Sequence, residues 1–479
     1  MNNIWNKWLA LTTLSFAALP MTSMANHAIN TAIGTVAKPK NIIYIIGDGM
    51  GPAYTSAYRY YMDNPQTPKV ENTIFDELLT GMASTYSRGT QKNHTDNTYV
   101  TDSAASATAL STGVKTYNQA VAVDVNDKPL QTLMEYAKSL DKTTGLVVTS
   151  QINHATPASF VAHNTYRYNY QDIADDYFDN RVNGKFVADL MFGGGHKYFI
   201  RDDRNIVEQF KQAGYQYFDQ LSQLNQFDRL PALGIFARKG LGYAIDNQTA
   251  DDQPKYRLKQ MVSKALSLMD SSDKGYFLLI EGSMIDWCGH ANDISCAMKE
   301  MDGLANTVSY LKDYINHHPD TLMVMTADHN TGGLSVGSEG EYRWKPAAVK
   351  QARKSMSITT KRLLKNEDVK TVWQQTIAMN ISPARMARIS KVQKQAIKVI
   401  SKVRGDDPKA LEDAQMAAAT LIEDTLTDII TQRTLTGWTS SNHTGDDVQI
   451  FAHGAGKHHF NGHMDNTDIA KKLFELIKP

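Results

Sequence analysis

An excess of either charge is the first thing this sequence lacks. Its 479 residues include 50 Lys and Arg against 50 Asp and Glu, so the formal net charge is zero with histidine neutral. A protein that binds polyanions over a broad surface usually carries a net positive charge. The balance therefore excludes a general nucleic-acid binder, beyond contact with terminal phosphates. Any function that depends on charge has to come from a local cluster.

Long hydrophobic runs are also absent beyond the N-terminal segment. In the rest of the chain, no stretch approaches the about 20 apolar residues of a membrane-spanning helix. At the N-terminus, Lys7 precedes an apolar run over 8–19, and Ser23-Met24-Ala25 offers small residues at a cleavage point. This pattern predicts a signal peptide over 1–25. An anchor helix is the alternative, but the run is too short to span a bilayer. We expect an exported protein, periplasmic or secreted, whose mature chain is 26–479.

Cysteine is scarce, with Cys288 and Cys296 as the two examples. An exported chain can pair them. However, eight residues of continuous helix rise roughly 12 Å, which is too far for a disulfide. If the segment between them is helical, free buried thiols are favoured.

Five short, strongly apolar runs lie along the chain, and Gly, acidic or polar residues follow each of them. Near-continuous apolar runs of this length are typical of strands buried on both faces. Helical patterns lie between them, such as QTLMEYAKSL (131–140) and YRLKQMVSKALSLM (256–269). This alternation predicts an α/β fold with a central, mostly parallel sheet and helices on both faces. The runs are NIIYIIGDGMG (41–51), GLVVTSQINHATP (145–157), YFLLIEGSMIDWCGH (276–290), TLMVMTADHNTGG (321–333) and VQIFAHGAG (448–456).

One long segment breaks the alternation. From about 344 to 433 the sequence has no strand-like run and carries helical stripes such as VKTVWQQTIAM and AQMAAATLIEDTLTDII. It predicts a helical insertion whose charged residues form a solvated face. A cap over the site or an oligomer contact is the alternative role.

Acidic residues and histidines follow three of the strand-like runs. Asp48 follows the first, Glu281 ends another, and Asp328-His329 follow a third. Asp286 and His290 are spaced i, i+4, so a helix would put them on one face. Since ligands of such sheets bind at the carboxyl ends of the strands, these side chains predict a metal site there. Imidazole mixed with carboxylate favours zinc, and all-oxygen ligation favours magnesium.

That set leaves a zinc site short of ligands. His443, just before the last strand-like run, is the best placed by spacing. The cluster of His458, His459 and His463 is the rival.

A serine in TDSAASATALSTGVKTYN (101–118) has neither a flanking glycine nor a neighbouring histidine. The chain also lacks the GxSxG turn of the Ser-His-Asp hydrolases. Ser103 is therefore either the cap of a helix or a nucleophile activated by something other than a histidine base.

At these motifs the chain resembles the alkaline phosphatase family, from about Asn41 to the C-terminus outside the helical insertion. The resemblance implies hydrolysis of phosphate monoesters through a phosphoserine, with two Zn²⁺ and one Mg²⁺, in a homodimer. The matching motifs are DGMG (48–51), TDSAASATALSTGVKTYN (101–118), HATPAS (154–159), FGGG (192–195), EGSMIDWCGH (281–290), TADH (326–329) and HTG (443–445).

Matched motif by motif, the resemblance gives each residue a role. Ser103 corresponds to the phosphate-accepting serine, and Arg167 to the arginine that clamps phosphate; without the resemblance, Arg167 would be read as a surface residue. Asp286, His290 and His443 correspond to one zinc site, and Asp48, Asp328 and His329 to the other. A third site, usually magnesium, is shared by Asp48, Thr156 and Glu281.

Formal charge supports this assignment. Three divalent ions bring about +6 and four carboxylates about −4, so the surplus of about +2 complements a phosphate monoester dianion. The two zinc ions would lower the pKa of the serine hydroxyl and stabilise the leaving alkoxide, so no histidine base is needed.

Two positions depart from the best-known bacterial pattern. His154 stands where that pattern has Asp, and Trp287 stands where it has Lys. We expect His154 to act on the third site through water, which weakens magnesium binding or admits zinc.

Other readings of the same residues are a phosphodiesterase, sulfatase or phosphomutase of the same superfamily, or a non-catalytic phosphate or metal scavenger. Sulfatases need a Cys or Ser in a modification motif that Thr101-Asp102-Ser103-Ala104 does not provide. Diesterases commonly use threonine and lack the clamp assigned to Arg167. A scavenger has no need of Ser103.

Overall fold

Strands spread along the whole described chain form one ten-stranded sheet in the computed structural model, which describes residues 38–94, 96–247, 256–403 and 407–478. The signal peptide predicted over 1–25 lies outside the described residues. The strands are β1 (Asn41–Ile46), β2 (Leu79–Ser84), β3 (Thr143–Gln151), β4 (Arg181–Val182), β5 (Lys185–Phe186), β6 (Leu190–Gly194), β7 (Gln216–Phe218), β8 (Ala232–Ile235), β9 (Tyr276–Glu281), β10 (Thr321–Thr326), β11 (Asn330–Thr331), β12 (Ser335–Val336), β13 (Thr436–Gly437), β14 (His443–Thr444), β15 (Val448–Gly454) and β16 (Gly462–Asp465).

The large sheet has the order β16-β2-β15-β10-β1-β9-β3-β6-β8-β7. Within the described chain, β15 is the one strand of this sheet that runs against its neighbours, β10 and β2. The predicted α/β class and the five predicted strands are confirmed. The sequence did not single out five further strands, because they are short or only partly apolar; these are β2, β6, β7, β8 and β16.

Helices cover both faces of the sheet and alternate with its strands. They are α1 (Pro52–Met62), α2 (Ile74–Leu78), α3 (Ser103–Thr112), α4 (Leu133–Ser139), α5 (Ala155–Val161), α6 (Tyr170–Asp179), α7 (His196–Phe199), α8 (Ile206–Gln212), α9 (Arg257–Met269), α10 (Met284–His290), α11 (Ile294–His317), α12 (Pro346–Val349), α13 (Met356–Leu364), α14 (Val369–Thr376), α15 (Pro383–Ser401), α16 (Pro408–Thr434) and α17 (Asn466–Ile477), with 3-10 helices at Leu221–Gln226 and Lys457–Phe460. No helix of the described ranges is both long enough and apolar enough to cross a membrane.

The segment for which an insertion is predicted contains α12 to α16, with α15 packed along α16. It is fastened to the core at the start of α11. There the Asp293 carboxylate accepts a hydrogen bond from Met356 N at 2.7 Å, and Ser295 Oγ donates to the Val349 carbonyl at 3.1 Å. These bonds tie the insertion to the segment that directly follows α10.

The two cysteines form a disulfide, so the expectation of free thiols was wrong. It assumed one continuous helix, whereas α10 ends at His290 and α11 begins at Ile294. Asn292 takes a left-handed conformation at φ 50°, which turns the chain back on itself. The Cα atoms of Cys288 and Cys296 are consequently 5.6 Å apart, within the usual range for a disulfide.

Candidate active site

Strand register gathers the acidic residues at one edge of the sheet. Ile46 at the end of β1 pairs with Glu281 at the end of β9 and with Thr326 at the end of β10. Asp48 and Asp328 each follow two residues after those ends. Three carboxylates that are distant in sequence therefore lie side by side, at the carboxyl ends of parallel strands.

Ser103 is the first residue of α3, and its preceding residue caps the helix. Asp102 Oδ1 accepts hydrogen bonds from Ala105 N at 3.0 Å and Gln119 N at 2.9 Å. All ten residues of α3 are buried, and most are Ala, Ser or Thr, so α5 and α17 can pack closely on it. The helix therefore holds Ser103 in the wall of a cavity of about 440 Å³.

Asp286, His329 and His443 form one group able to hold a metal ion, and His290 lies next to it. The Asp286 Oδ1 atom lies 3.4 Å from His290 Nε2 and 3.7 Å from His443 Nε2. Each Nδ1–H donates to a backbone carbonyl, from His290 to Ser441 at 2.6 Å and from His443 to Thr101 at 2.8 Å. The two Nε2 lone pairs then face each other at 3.2 Å. Since two bare acceptors repel, this arrangement fits a cation between them.

A second group is Asp48, Asp328 and His329, all fully buried. His329 Nε2 lies 3.0 Å from Asp328 Oδ2 and 3.6 Å from Asp48 Oδ1. The same nitrogen is 3.1 Å from Ser103 Oγ. The serine hydroxyl therefore reaches this group directly. In addition, the His329 ring stacks on that of His443 at 3.5 Å, so the first two groups adjoin.

A third group joins Asp48 and Glu281 to His154, with one ligand atom of each lying within 4.8 Å of the others. Thr156 Oγ1, His154 Nδ1, Glu281 Oε1 and both carboxylate oxygens of Asp48 are buried without a hydrogen-bond partner. Buried polar atoms are normally paired, because leaving one unpaired costs about 1–3 kcal/mol. The unpaired atoms of Asp48, Glu281 and His154, three residues whose ligand atoms lie close together, fit a bound divalent cation.

Burial sets the protonation states in this cluster. It raises the pKa of Asp48 well above its usual value, and the nearby Asp328 and Asp286 add to the effect. Burial, with a smaller contribution from Asp328, likewise raises the pKa of Glu281 to about 7. It also lowers the pKa of His443 to about 4, with the neighbouring His329 adding to it. The imidazole is then neutral at physiological pH, which is the form that binds a metal.

Arg167 supplies the guanidinium of the cavity. In the sequence it lies between two tyrosines and looks like a surface residue. It is 7% exposed, and its Nη1 donates to Asp102 Oδ2 at 2.9 Å. Its Nη2 lies 3.3 Å from His154 Nε2. The Trp287 ring, 5.9 Å from the His154 ring, lines the same cavity. The capping aspartate thus also orients the arginine toward the serine.

The rival histidine cluster lies elsewhere. His458 and His459 pack on each other at 4.2 Å, and His463 pairs with Asp447 at 3.0 Å on an exposed surface. Among the residues that the structure describes, the groups able to hold a metal ion include His443 and none of these three.

Two contacts at the site involve residues that the sequence did not single out. Thr331 Oγ1 donates to Asp286 Oδ1 at 2.5 Å and lies 3.3 Å from His329 Nδ1. Asp102 had a signal, since Asp before a helical run is a typical cap. Thr331 had none, because its partner lies 45 residues away.

We expect Glu281→Gln to stabilise the metal-free protein at pH 8 but not at pH 5. The folded-state pKa of about 7 exceeds the ordinary 4.5. The stability from this group is therefore complete below the unfolded pKa and is lost as the pH rises through about 7. Glutamine removes that titration. Unfolding by urea after chelation, with both proteins at both pH values, measures the effect. The histidines contribute equally to the parent protein and to Glu281→Gln, so they cancel in the comparison. The same difference in unfolding free energy at pH 5 and at pH 8 would therefore contradict the assigned protonation of Glu281.

Comparison with known proteins gives one consistent result. The family model described as alkaline phosphatase matches residues 39–478. Alkaline phosphatase 3 of Bacillus subtilis is 39% identical over 469 residues, which cover 98% of this chain and 96% of that protein. The alkaline phosphatase of Schizosaccharomyces pombe is 32% identical, over 91% of this chain and 81% of its own.

A solved structure agrees with these relatives. The cold-active alkaline phosphatase from a psychrophilic Shewanella species is 43% identical, with a TM-score of 0.80 over 92% of this chain and all of that one. The sequence match, the fold and the grouping of a buried serine with carboxylates and histidines agree. The chain belongs to the alkaline phosphatase family.

Proposed function

We propose that this protein hydrolyses phosphate monoesters to an alcohol and inorganic phosphate through a phosphoserine on Ser103. The observation that carries the proposal is the contact between Ser103 Oγ and His329 Nε2 at 3.1 Å, which joins the serine to the buried carboxylate and histidine groups. Family membership supports the reaction type.

We further propose two Zn²⁺, held by Asp286, His290 and His443 and by Asp48, Asp328 and His329, and one Mg²⁺, held by Asp48, Thr156 and Glu281. The donor sets support this, since two include imidazoles and the third is mainly oxygen. His154 is itself one of the possible ligands of the third group, whereas the sequence predicted that it acts there through water. When bound, the ions neutralise charge, lower the pKa of the serine hydroxyl and stabilise the leaving group.

The chain's own residues position the substrate. Arg167, held by Asp102, presents a planar fork to two phosphate oxygens. Ala105 N and Ser106 N are bonded to Asp102, which leaves the amides of Ser103 and Ala104 at the start of α3 to face an anion. These groups hold the phosphorus in front of Ser103 Oγ.

In the first step Ser103 Oγ bonds to phosphorus as the ester bond to the alcohol breaks. The alcohol takes up one proton for the one that Ser103 gives up. Water then hydrolyses the phosphoserine and releases phosphate. The two displacements regenerate the serine.

Export and a homodimer complete the proposal. The N-terminal pattern over 1–25 supports export. The family resemblance supports the homodimer, and the helical insertion is the proposed crown-like segment near its interface.

The direct test of the proposal is hydrolysis of a chromogenic phosphate monoester and the matching diester by the metal-loaded protein. We expect the monoester to be preferred. Preference for the diester would support the phosphodiesterase alternative. No hydrolysis of either would contradict the proposal.

Arg167→Ala is expected to raise the inhibition constant of inorganic phosphate roughly ten- to hundredfold, because two charge-assisted hydrogen bonds are lost. It should also reduce the preference for monoesters over diesters. Arg167→Lys keeps the positive charge but loses the planar fork. Its inhibition constant for phosphate is expected to lie between those of the parent protein and Arg167→Ala. An unchanged inhibition constant in Arg167→Ala would remove the clamp from the proposal.

A further inference from the structure

The outer wall of the active-site cavity carries a half-exposed tyrosine. Tyr168 follows Arg167 in the chain, lines the cavity and is 50% exposed. Its ring centroid lies 5.5 Å from the guanidinium carbon of Arg167. The ring therefore lies next to the group proposed to bind phosphate.

Neighbouring aromatic rings hold Tyr168 in place. It packs edge-on against Tyr166 at 5.2 Å and against Tyr170 at 5.9 Å. Tyr170 in turn packs on Tyr198 at 4.8 Å. A ring that its neighbours already order loses little conformational entropy when a ligand stacks on it. Tyr168 is thus an ordered aromatic ring that is half-exposed and lines the cavity.

The rest of the outer cavity is neutral. Val100, Asn118, Gln119 and Asn442 lie around it. Among its described lining residues, Arg167 is the one lysine or arginine, and Asp102 already pairs with it. No second such cation is present to meet another phosphate or a carboxylate on the alcohol. The cavity therefore suits a neutral leaving group.

We infer that the cavity favours phosphate monoesters whose alcohol is neutral and carries a flat ring, with nucleoside 5′-monophosphates as the representative class. The inference rests on the proposed function. With the phosphate on Arg167, the ribose would place the base one sugar ring away, on the side of Tyr168. Bases stack on aromatic side chains regardless of their identity, so selectivity among bases is not expected.

The test compares AMP with ribose 5-phosphate, which share the same primary ester on the same sugar and differ in the base. In the metal-loaded protein we expect kcat/KM for AMP to exceed that for ribose 5-phosphate by roughly fivefold or more, the low end for stacking on an exposed ring. Tyr168→Ala should remove the preference, and Tyr168→Phe, which keeps the ring, should retain it. Tyr342→Ala is the matched control, since Tyr342 is fully exposed and is not one of the residues that line the cavity.

Three results would overturn the inference. They are equal kcat/KM values in the parent protein, an AMP preference that survives Tyr168→Ala, or an equal loss on both substrates in that variant. An equal loss on both substrates would mean that the Tyr168 ring only positions Arg167 and does not contact the base. In that case the inhibition constant of phosphate should rise in Tyr168→Ala as well. If neither ester is hydrolysed by the parent protein, the proposed function itself fails, a result distinct from equal hydrolysis of both.

Discussion

Replacing Ser103 by alanine is expected to lower the turnover of a phosphate monoester by at least about a thousandfold, because the proposed nucleophile is lost. Ser103 Oγ is buried and lies 3.1 Å from His329 Nε2, which joins it to the candidate metal-binding groups. The phosphoenzyme should disappear as well. Acid quenching after incubation with labelled phosphate measures it directly.

The matched control for this variant is Ser111→Ala on the same helix. Ser111 is also fully buried, but its hydroxyl donates to the carbonyls of Thr108 and Ser159, away from the metal-binding groups. It should keep turnover near that of the parent. Ser103→Ala should also keep its metal content, since the serine is not one of the proposed ligands. Loss of metal in that variant, or labelled protein in spite of it, would mean that the role of the serine is misassigned.

Removing the proposed metal ions is expected to abolish turnover and to lower the melting temperature by about 10 °C or more. Four buried carboxylates and a facing pair of imidazole nitrogens then lose the cations that balance them. Ligands that bind only the folded state stabilise it in proportion to their binding free energy, which for a tightly held zinc is about 10 kcal/mol or more. Chelation followed by thermal unfolding and by assay measures both effects. The carboxylates are Asp48, Glu281, Asp286 and Asp328.

Restoring Zn²⁺ and Mg²⁺ should recover both activity and melting temperature. The same treatment of Ser103→Ala separates the two effects, because that variant has no turnover to lose but should show the same drop in melting temperature. Full activity in a sample that metal analysis shows to be free of metal would rule out the proposed centre. An unchanged melting temperature would mean that the buried carboxylates are stabilised in another way.

Part of the site was predictable because its residues are tied to strand ends. Asp48, Glu281 and Asp328 each lie at or just after an apolar run, and parallel strands bring such ends to one edge. The pairing of Asp286 with His290 followed from helical spacing alone. Arg167 was different: in the sequence it is an arginine among tyrosines, and only the family resemblance pointed to it. The structure shows it buried against Asp102.

By itself the sequence determined the α/β class, the strands that carry the carboxylates and the serine at the start of a helix. These follow from local patterns, namely apolar runs of strand length and a capping residue before small side chains. The tertiary structure alone decided contacts between distant segments. It turned the chain at Asn292 and brought Cys296 to Cys288, and it placed Thr331 against Asp286. It also set the Tyr168 ring beside the phosphate clamp. Such contacts depend on how elements pack across the whole domain, and no short stretch of sequence records that packing.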